Sequence, residues 1–242
     1  MAIRRRLVVF CVAFIMVSAS IMGQTGPLVG NQEMTVEQSY LQESIELMII
    51  REQSRSNSRD MKFVALEYIG DVIARGNRGE EIHSALEFLG LEGVRNLTRE
   101  SGRLVNNFPD VRVRAATRLG ELGTPEARDI LVTMILADNE PMVISEAVRS
   151  LGIIGLNDND ETANAISWVV HRFDIVNPDN LLALSALDAY ERLAAASDGF
   201  ISISSINTII RIAEGNYIRP VRERARALLS DLRGPNAQQQ QR

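Results

Sequence analysis

A pattern of apolar residues recurs along the chain, and this internal repeat limits the folds that the sequence can adopt. Apolar residues at i, i+4 and i+8 surround Ala115, and the same pattern returns 32 residues later around Ala147. Three more copies are spaced by 50, 39 and 39 residues from their neighbours, which makes five in all. Periods in this range are typical of helical solenoids. The copies comprise Met61, Ala65, Ile69 and Val72; Val111, Ala115, Leu119 and Leu122; Val143, Ala147, Leu151 and Ile154; Leu182, Ala186, Tyr190 and Leu193; and Val221, Ala225, Leu229 and Leu232.

Each copy predicts a helix that packs closely on its neighbours. The spacing forms an apolar stripe on one face, and the small alanine at its centre allows a second helix to approach. Paired glycines follow two of the copies, and we expect them to end the helix, because glycine adopts left-handed backbone geometry. Thr124 and Pro125 then predict the cap and first turn of the next helix. The unit is therefore a helical hairpin. The glycine pairs are Gly120 and Gly123, and Gly152 and Gly155.

Composition favours the same class of fold. The chain of 242 residues is 45% hydrophobic but only 5% aromatic, so alanine, leucine, isoleucine and valine must fill its interior. Such residues suit closely packed helices better than a β-sandwich. The formal net charge of -5 argues against a chain that binds nucleic acid through phosphate contacts.

The amino terminus has the order of a secretory signal peptide. Basic residues, Arg4–Arg6, precede an apolar run and then small residues, with cleavage sites after Ala19 or Gly23. The run Leu7–Val17 is shorter than the about 20 apolar residues that span a bilayer. We therefore expect export to the periplasm or cell envelope and no integral span in the mature chain. An uncleaved membrane anchor is the alternative.

The single cysteine, Cys11, lies inside the predicted signal peptide. The bulky Phe10 before it argues against lipid modification of that cysteine. A mature chain without cysteine has no disulfides, no thiol catalysis and no thiolate metal site.

Four segments follow from these features: a signal peptide over residues 1–23, a linker over 24–34, a solenoid over 35–232 and a polar tail over 233–242. The solenoid begins with a predicted helix over 35–55, in which Thr35 and Gln38 have capping-box spacing. The apolar face predicted for this helix comprises Leu41, Ile45, Met48 and Ile49.

The segment Asp110–Leu131 resembles a HEAT repeat, in particular the short bacterial type that also occurs in phycobilin lyases. The pattern of this type runs D-x-x-V-R-x-x-A-x-x-x-L-G-x-L-G, and Val111–Gly123 match it from V-R onwards. The resemblance covers 60–232 and is weakest around Leu182, where Glu191 and Ala194 replace the glycines. It implies an all-α fold, a right-handed α-solenoid of about five hairpins that binds partners along its surface. It also implies that Arg112 and Arg222 match the family's arginine, which braces adjacent repeats through an acidic or carbonyl partner.

Candidate catalytic residues are sparse. His83 and His171 lie in separate repeats, without a second histidine nearby, and are predicted to be surface residues. The acidic segment 157–163 partly resembles a calcium loop but lacks its glycine and distant glutamate, so we interpret it as a loop and an acidic first helical turn. The sequence predicts neither an enzyme nor a cofactor or metal site.

A partner-binding groove is predicted from the second helix of each hairpin. Leu86, Leu131, Ile166 and Ile206 are taken as equivalent buried positions. Residues two positions later would line the groove, and residues two positions earlier would form a polar column beside it. Trp168, the only tryptophan, either anchors a partner or fills a gap between repeats. The groove column is Phe88, Thr133, Trp168 and Thr208, and the polar column is Ser84, Asp129, Asn164 and Ser204.

The sequence thus favours an exported, non-catalytic scaffold or adaptor that binds a protein in the periplasm or cell envelope. It does not indicate which protein. Two alternatives are a lyase-like module associated with an enzyme complex and a membrane-tethered subunit.

Overall fold

The computed structural model describes residues 35–174, 178–197 and 202–233. The predicted signal peptide and linker, and all but the first residue of the predicted tail, lie outside these ranges. The chain divides into two units, residues 1–42 and 43–242, and the second contains all five repeat centres. Within the described ranges, no helix is both long enough and apolar enough to cross a bilayer.

The described part of the chain contains ten α-helices, one short 3-10 helix and one β-hairpin. The helices are α1 (Val36–Ser54), α2 (Arg59–Ala74), α3 (Glu80–Leu91), α4 (Pro109–Leu122), α5 (Pro125–Ala137), α6 (Pro141–Ile154), α7 (Glu161–Asp174), α8 (Asn180–Ala196), α9 (Ile203–Glu214) and α10 (Arg219–Leu232), with the 3-10 helix at Asp158–Asp160 and strands β1 (Arg99–Glu100) and β2 (Arg103–Leu104).

The helices form two layers. The even-numbered helices α2 to α10 pack on one another in chain order, and the odd-numbered helices α3 to α9 do the same beside them. The second half of α1 lines a groove together with α3, at the start of the odd-numbered layer. Five helices in each layer make an all-α solenoid of helical hairpins, as the repeat predicts.

The core confirms the repeat centres. All five central alanines are fully buried, and so are most of the apolar positions around them. Met61 is an exception because it is exposed, and the next residue, Lys62, is buried instead. Ile154, Leu229 and Leu232 are only partly buried and pack at the edge of the core.

The predicted apolar face of α1 is wrong. Ile45 and Met48 are exposed, whereas Ile50 is buried and Leu47 packs on the core. Leu41 is also exposed. The buried side of the helix includes Glu46, whose carboxylate pairs with Arg75 of the loop after α2. A shift of one residue rotates a helical face by about 100°, so this polar contact changes which apolar residues meet the core.

The two glycines of each pair have different roles. Gly123 and Gly155 end their helices with φ of 69° and 72°, in the left-handed region, as predicted. Gly120 and Gly152 lie inside α4 and α6, so the prediction that they end the helix is wrong. They allow close approach instead: a Cβ on Gly120 would lie 2.8 Å from Oγ of Ser150.

The close approaches follow one rule along the even-numbered layer. The centre of each repeat is its buried alanine. In each case, the glycine five residues after one central alanine contacts the residue three positions after the central alanine of the next repeat. Gly70 therefore receives Arg118, whose Nε donates to the carbonyl of Leu66 at 3.1 Å. Gly152 meets the backbone of Ala189 in the same way.

An insertion explains the long spacing between the first two repeats. The β1–β2 hairpin and its flanking residues lie between α3 and α4, where other connections have only a few residues. Ser101 and Gly102 both have positive φ, the geometry of a type I′ hairpin turn. Asn106 fixes the base of the insertion, because its side chain accepts from the amide of Thr98 at 2.9 Å and donates to the carbonyl of Asn96 at 2.7 Å.

Candidate partner-binding face

The outward side of the odd-numbered helices carries the predicted columns in three repeats. Phe88 and Thr133 are partly exposed, and Trp168 is 50% exposed. Ser84, Asp129 and Asn164 of the polar column are exposed as well. Leu86, Leu131 and Ile166 are fully buried beneath them, so the register chosen for these three helices is right. Asp129 already pairs with Nε of Arg128 at 2.7 Å.

The fourth repeat departs from the prediction by three residues. Thr208 is fully buried and Ile206 is 37% exposed, so Thr208 cannot line the face and Ile206 is not a core residue. Ile209 is buried in the position of Leu86. Counting from Ile209, the exposed column continues at Arg211, and Asn207 takes the place of Ser204.

Hydroxyl groups in the core cause this shift. The phenol of Tyr190 is fully buried and lies 2.8 Å from Oγ of Ser167. Thr208 and Ser205 also face this phenol, so α9 turns small polar residues inward. Burial raises the pKa of Tyr190 to about 12, against the opposing effect of these hydroxyl partners, and the phenol is therefore protonated at neutral pH.

Both histidines connect consecutive odd-numbered helices, and the prediction that they are surface residues is wrong. Nε2 of His83 on α3 lies 2.7 Å from Oγ1 of Thr124, which caps α5. Nε2 of His171 on α7 lies 3.1 Å from Oγ1 of Thr208 on α9. Burial, and to a smaller extent Arg211, lowers the pKa of His171, so this ring is neutral at pH 7.

Trp168 forms an exposed patch with Arg172. The guanidinium carbon of Arg172 lies 5.5 Å from the centre of the indole ring, within the range of a cation–π contact. Arg172 is itself held by the carbonyls of Leu136 and Asp138, at 3.3 and 3.1 Å. The half-exposed indole is therefore presented to solvent beside a fixed cation and does not fill a gap between repeats.

A groove lies between α1 and α3 at the start of the same layer. Its first part has a volume of about 480 Å³ and is lined by Arg51 and Glu81, among others. A second part of about 320 Å³ extends to the insertion and includes Phe88 and Arg95. Arg55 lines both parts. The sequence patterns did not predict this groove, although the i, i+4 pair of arginines near the end of α1 is visible in the sequence.

Arg112 has the predicted bracing role. The side chain is 1% exposed, and its Nε and Nη2 donate to the carboxylate of Asp138 at 2.7 and 3.3 Å. Nη1 donates to Asn107 and to the carbonyl of Glu92. The sequence patterns did not predict the equivalent cation of the preceding repeat, Lys62, whose Nζ lies 2.7 Å from Glu92 and 3.0 Å from the carbonyl of Ser54.

Arg222 does not brace two repeats within the described ranges. Its Nε is buried without a hydrogen-bond partner there. The carboxylate that binds Arg112 comes from Asp138, at the end of the following odd-numbered helix. Arg222 lies on α10, the last helix in the described ranges. No following odd-numbered helix is described that could supply a carboxylate equivalent to Asp138.

The acidic segment 157–163 has the acidic first helical turn that was predicted, at Glu161 of α7, but the residues before it form the 3-10 helix Asp158–Asp160 and not a plain loop. Arg128 lies 3.3 Å from Asp158 and 3.9 Å from Glu161, so a guanidinium occupies the place where a cation could have bound. Within the described ranges, no group of His, Cys, Asp and Glu side chains is arranged to hold a metal ion.

Comparison with protein-family models matches residues 103–186 to HEAT repeats. These residues extend from β2 to the middle of α8 and include Trp168 and Arg172. The match is to HEAT repeats in general and does not distinguish the phycobilin lyase type. No curated protein matches the chain.

Proposed function

We propose, from the match of residues 103–186 to HEAT repeats, that the chain is a non-catalytic scaffold or adaptor that binds a protein partner along its odd-numbered helices. HEAT repeats generally serve as scaffolds for protein interactions, and stacked repeats form extended binding surfaces. A module associated with an enzyme complex would use the same surface, and the identity of the partner distinguishes the two.

The patch of Trp168 and Arg172 is the observation that carries this proposal. Tryptophan and arginine are enriched among residues that dominate binding energy, because they lose much contact with water in a complex. Half of the Trp168 side chain is already exposed on α7, so a partner can cover it without rearrangement of the solenoid.

Replacement of Trp168 with alanine is expected to weaken capture of a partner by about 30-fold, as for the loss of about 2 kcal/mol at an interface hot spot. Thermal stability should change little, because half of the indole is already exposed. The measurement is affinity capture from envelope extract, followed by titration of the purified partner. Trp168 is the only tryptophan, so its emission reports binding directly when the partner lacks tryptophan or its signal is subtracted.

A matched control for Trp168→Ala is Ile153→Ala, which removes an exposed apolar side chain from α6 in the other layer. This variant should capture the partner as the parent chain does. Equal loss of capture in both variants, or early unfolding of Trp168→Ala, would contradict the proposed face.

We also propose export to the periplasm or cell envelope, supported by the basic, apolar and small-residue order over 1–23. Mass spectrometry of the protein from its native host is expected to find a mature chain that begins near residue 20 or 24. An intact Met1 with the chain in the membrane fraction would favour the uncleaved anchor, and an intact Met1 in a soluble fraction would contradict export altogether.

A further inference from the structure

We propose that the groove between α1 and α3 binds an extended peptide in which acidic and basic residues alternate. This inference rests on the proposed function and names the chemistry of a partner segment at one end of the same layer. We call the site the charged groove. The α1 wall carries Arg51 and Arg55, the α3 wall carries Glu80, Glu81 and Glu87, and Arg95 of the insertion lines the far end.

The two parts of the charged groove are continuous. Arg55 and Ser84 line both, and together the parts run from the middle of α1 to the insertion after α3. The floor is apolar, with Leu47 and Ile50 at one end and Phe88 at the other. An apolar floor between charged walls suits a segment that buries its backbone and small side chains and keeps charged side chains at the rim.

The charges of the groove are not neutralised by the protein itself. Within the described ranges, none of the six forms an ion pair, although they line one groove. The arginines of the central repeats behave differently, because each donates a side-chain hydrogen bond or forms an ion pair. Those arginines are Arg112, Arg114, Arg118, Arg128, Arg149 and Arg172.

Local structure explains why the walls keep opposite signs. Arg51 lies in the last turn of α1, and Glu80 and Glu81 lie in the first turn of α3. Cations are favoured at the carboxyl end of a helix and anions at the amino end. The guanidinium carbon of Arg55 lies 5.8 Å from the ring centre of Phe88, which places this cation over the floor.

The spacing of the arginines fits an extended chain. Arg51 lies in the last turn of α1 and Arg55 is the first residue after it, so about one helical turn, or about 6 Å, separates their backbone positions along the helix axis. In an extended peptide, residues i and i+2 point to the same side and lie about 6.7 Å apart, while residue i+1 points to the other side. Acidic residues at alternate positions can therefore meet successive arginines, while the basic residues between them face the glutamates.

The same wall of glutamates disfavours ligands of one charge. A purely acidic peptide or a phosphate backbone meets Glu80, Glu81 and Glu87 as well as the arginines, and like charges on one side offset attraction on the other. Charge order along the partner, and not its net charge, is therefore the property that the charged groove recognises.

The experiment compares two labelled hexapeptides of equal composition, one with alternating glutamate and lysine and one with three glutamates followed by three lysines. Fluorescence anisotropy with the full chain should show at least tenfold tighter binding of the alternating peptide at low salt. Binding should weaken at about 0.5 M salt, where the Debye length falls towards 3 Å. Equal affinity for the two peptides, or no binding of the alternating one, would overturn the proposal.

Arg55→Glu should weaken binding of the alternating peptide by about tenfold or more, and Arg55→Gln by less. Arg192→Glu is the matched control, because Arg192 is exposed on α8, far along the chain from the groove, and should bind the peptide as the parent does. Equal weakening in both reversed variants would contradict a local site. If partner capture through Trp168 persists while the peptides fail to discriminate, only this inference fails and the proposed function stands.

Discussion

Replacement of Arg112 with methionine is expected to lower the free energy of unfolding by about 3–5 kcal/mol, the loss typical of breaking a buried ion pair. The Arg112 side chain is almost fully buried, and Asp138 beside it is 2% exposed. Methionine can fill much of the volume, but it leaves the Asp138 carboxylate buried without its cation. Two backbone amides, those of Asn139 and Glu140, also donate to this carboxylate, so it cannot move out to solvent without losing them.

The measurement is urea unfolding followed by far-UV circular dichroism. Arg114→Met is the matched control, since Arg114 lies on the same helix and forms an exposed ion pair with Glu67 at 2.8 Å. Such an exposed pair contributes about 0–1 kcal/mol. Asp138→Asn keeps the acceptor for the two amides and removes the charge, so the double variant Arg112→Met with Asp138→Asn should recover part of the loss. A loss at Arg112 no larger than that at Arg114 would contradict the bracing role.

The even-numbered layer could be predicted from sequence because a small residue, alanine, marks the place where each of its helices packs closely on its neighbours. A fully buried alanine at each centre and apolar residues one turn away define one helical face. The pattern fails at Met61, where Lys62, paired with Glu92, is buried instead. Lys62 could not be recognised from the apolar pattern, because a lysine is normally exposed. Its position, which corresponds to that of Arg112 in the next repeat, was the signal that could have identified it as a buried cation.

The odd-numbered layer was harder because polar groups help to set its register. In α9, Ser205 and Thr208 turn inward towards Tyr190, and an apolar pattern alone selects Ile206 in error. In α1, the contact of Glu46 with Arg75 rotates the helix away from its most apolar face. Both contacts join residues that are distant in sequence, so neither pattern could be read from the helix itself.

The candidate site was found only in part for the same reason. Phe88 and Trp168 follow from counting along single helices, and the structure places both on the outward side of their layer. The charged groove depends on the rotation of α1 and on the insertion that carries Arg95, and neither is fixed by local spacing. Surfaces made by one helix were therefore predictable, and surfaces shared by several elements were not.

Replacement of Gly152 with alanine is expected to destabilise the solenoid by about 1–3 kcal/mol, the usual effect of overpacking a core. A Cβ on Gly152 would lie 2.7 Å from Cα of Ala189 and 3.0 Å from its Cβ. The first of these atoms belongs to the backbone of α8, so no side-chain rotation can relieve the contact. The helices α6 and α8 must move apart, and the packing of the neighbouring buried residues is lost with that movement.

The sign of this result tests the explanation, because helix propensity alone predicts the opposite. Alanine in place of glycine inside a helix is favoured by about 1 kcal/mol, so a stabilised Gly152→Ala variant would show that α6 and α8 are not in close contact there. Gly155 provides the control: its φ is 72° and a Cβ there would meet only Cβ of Ala196 at 3.8 Å. Gly155→Ala should therefore lose about 1 kcal/mol through backbone strain, and Gly155→Asn less, since asparagine tolerates the left-handed region. At Gly152, where space and not backbone geometry is limiting, asparagine should be worse than alanine.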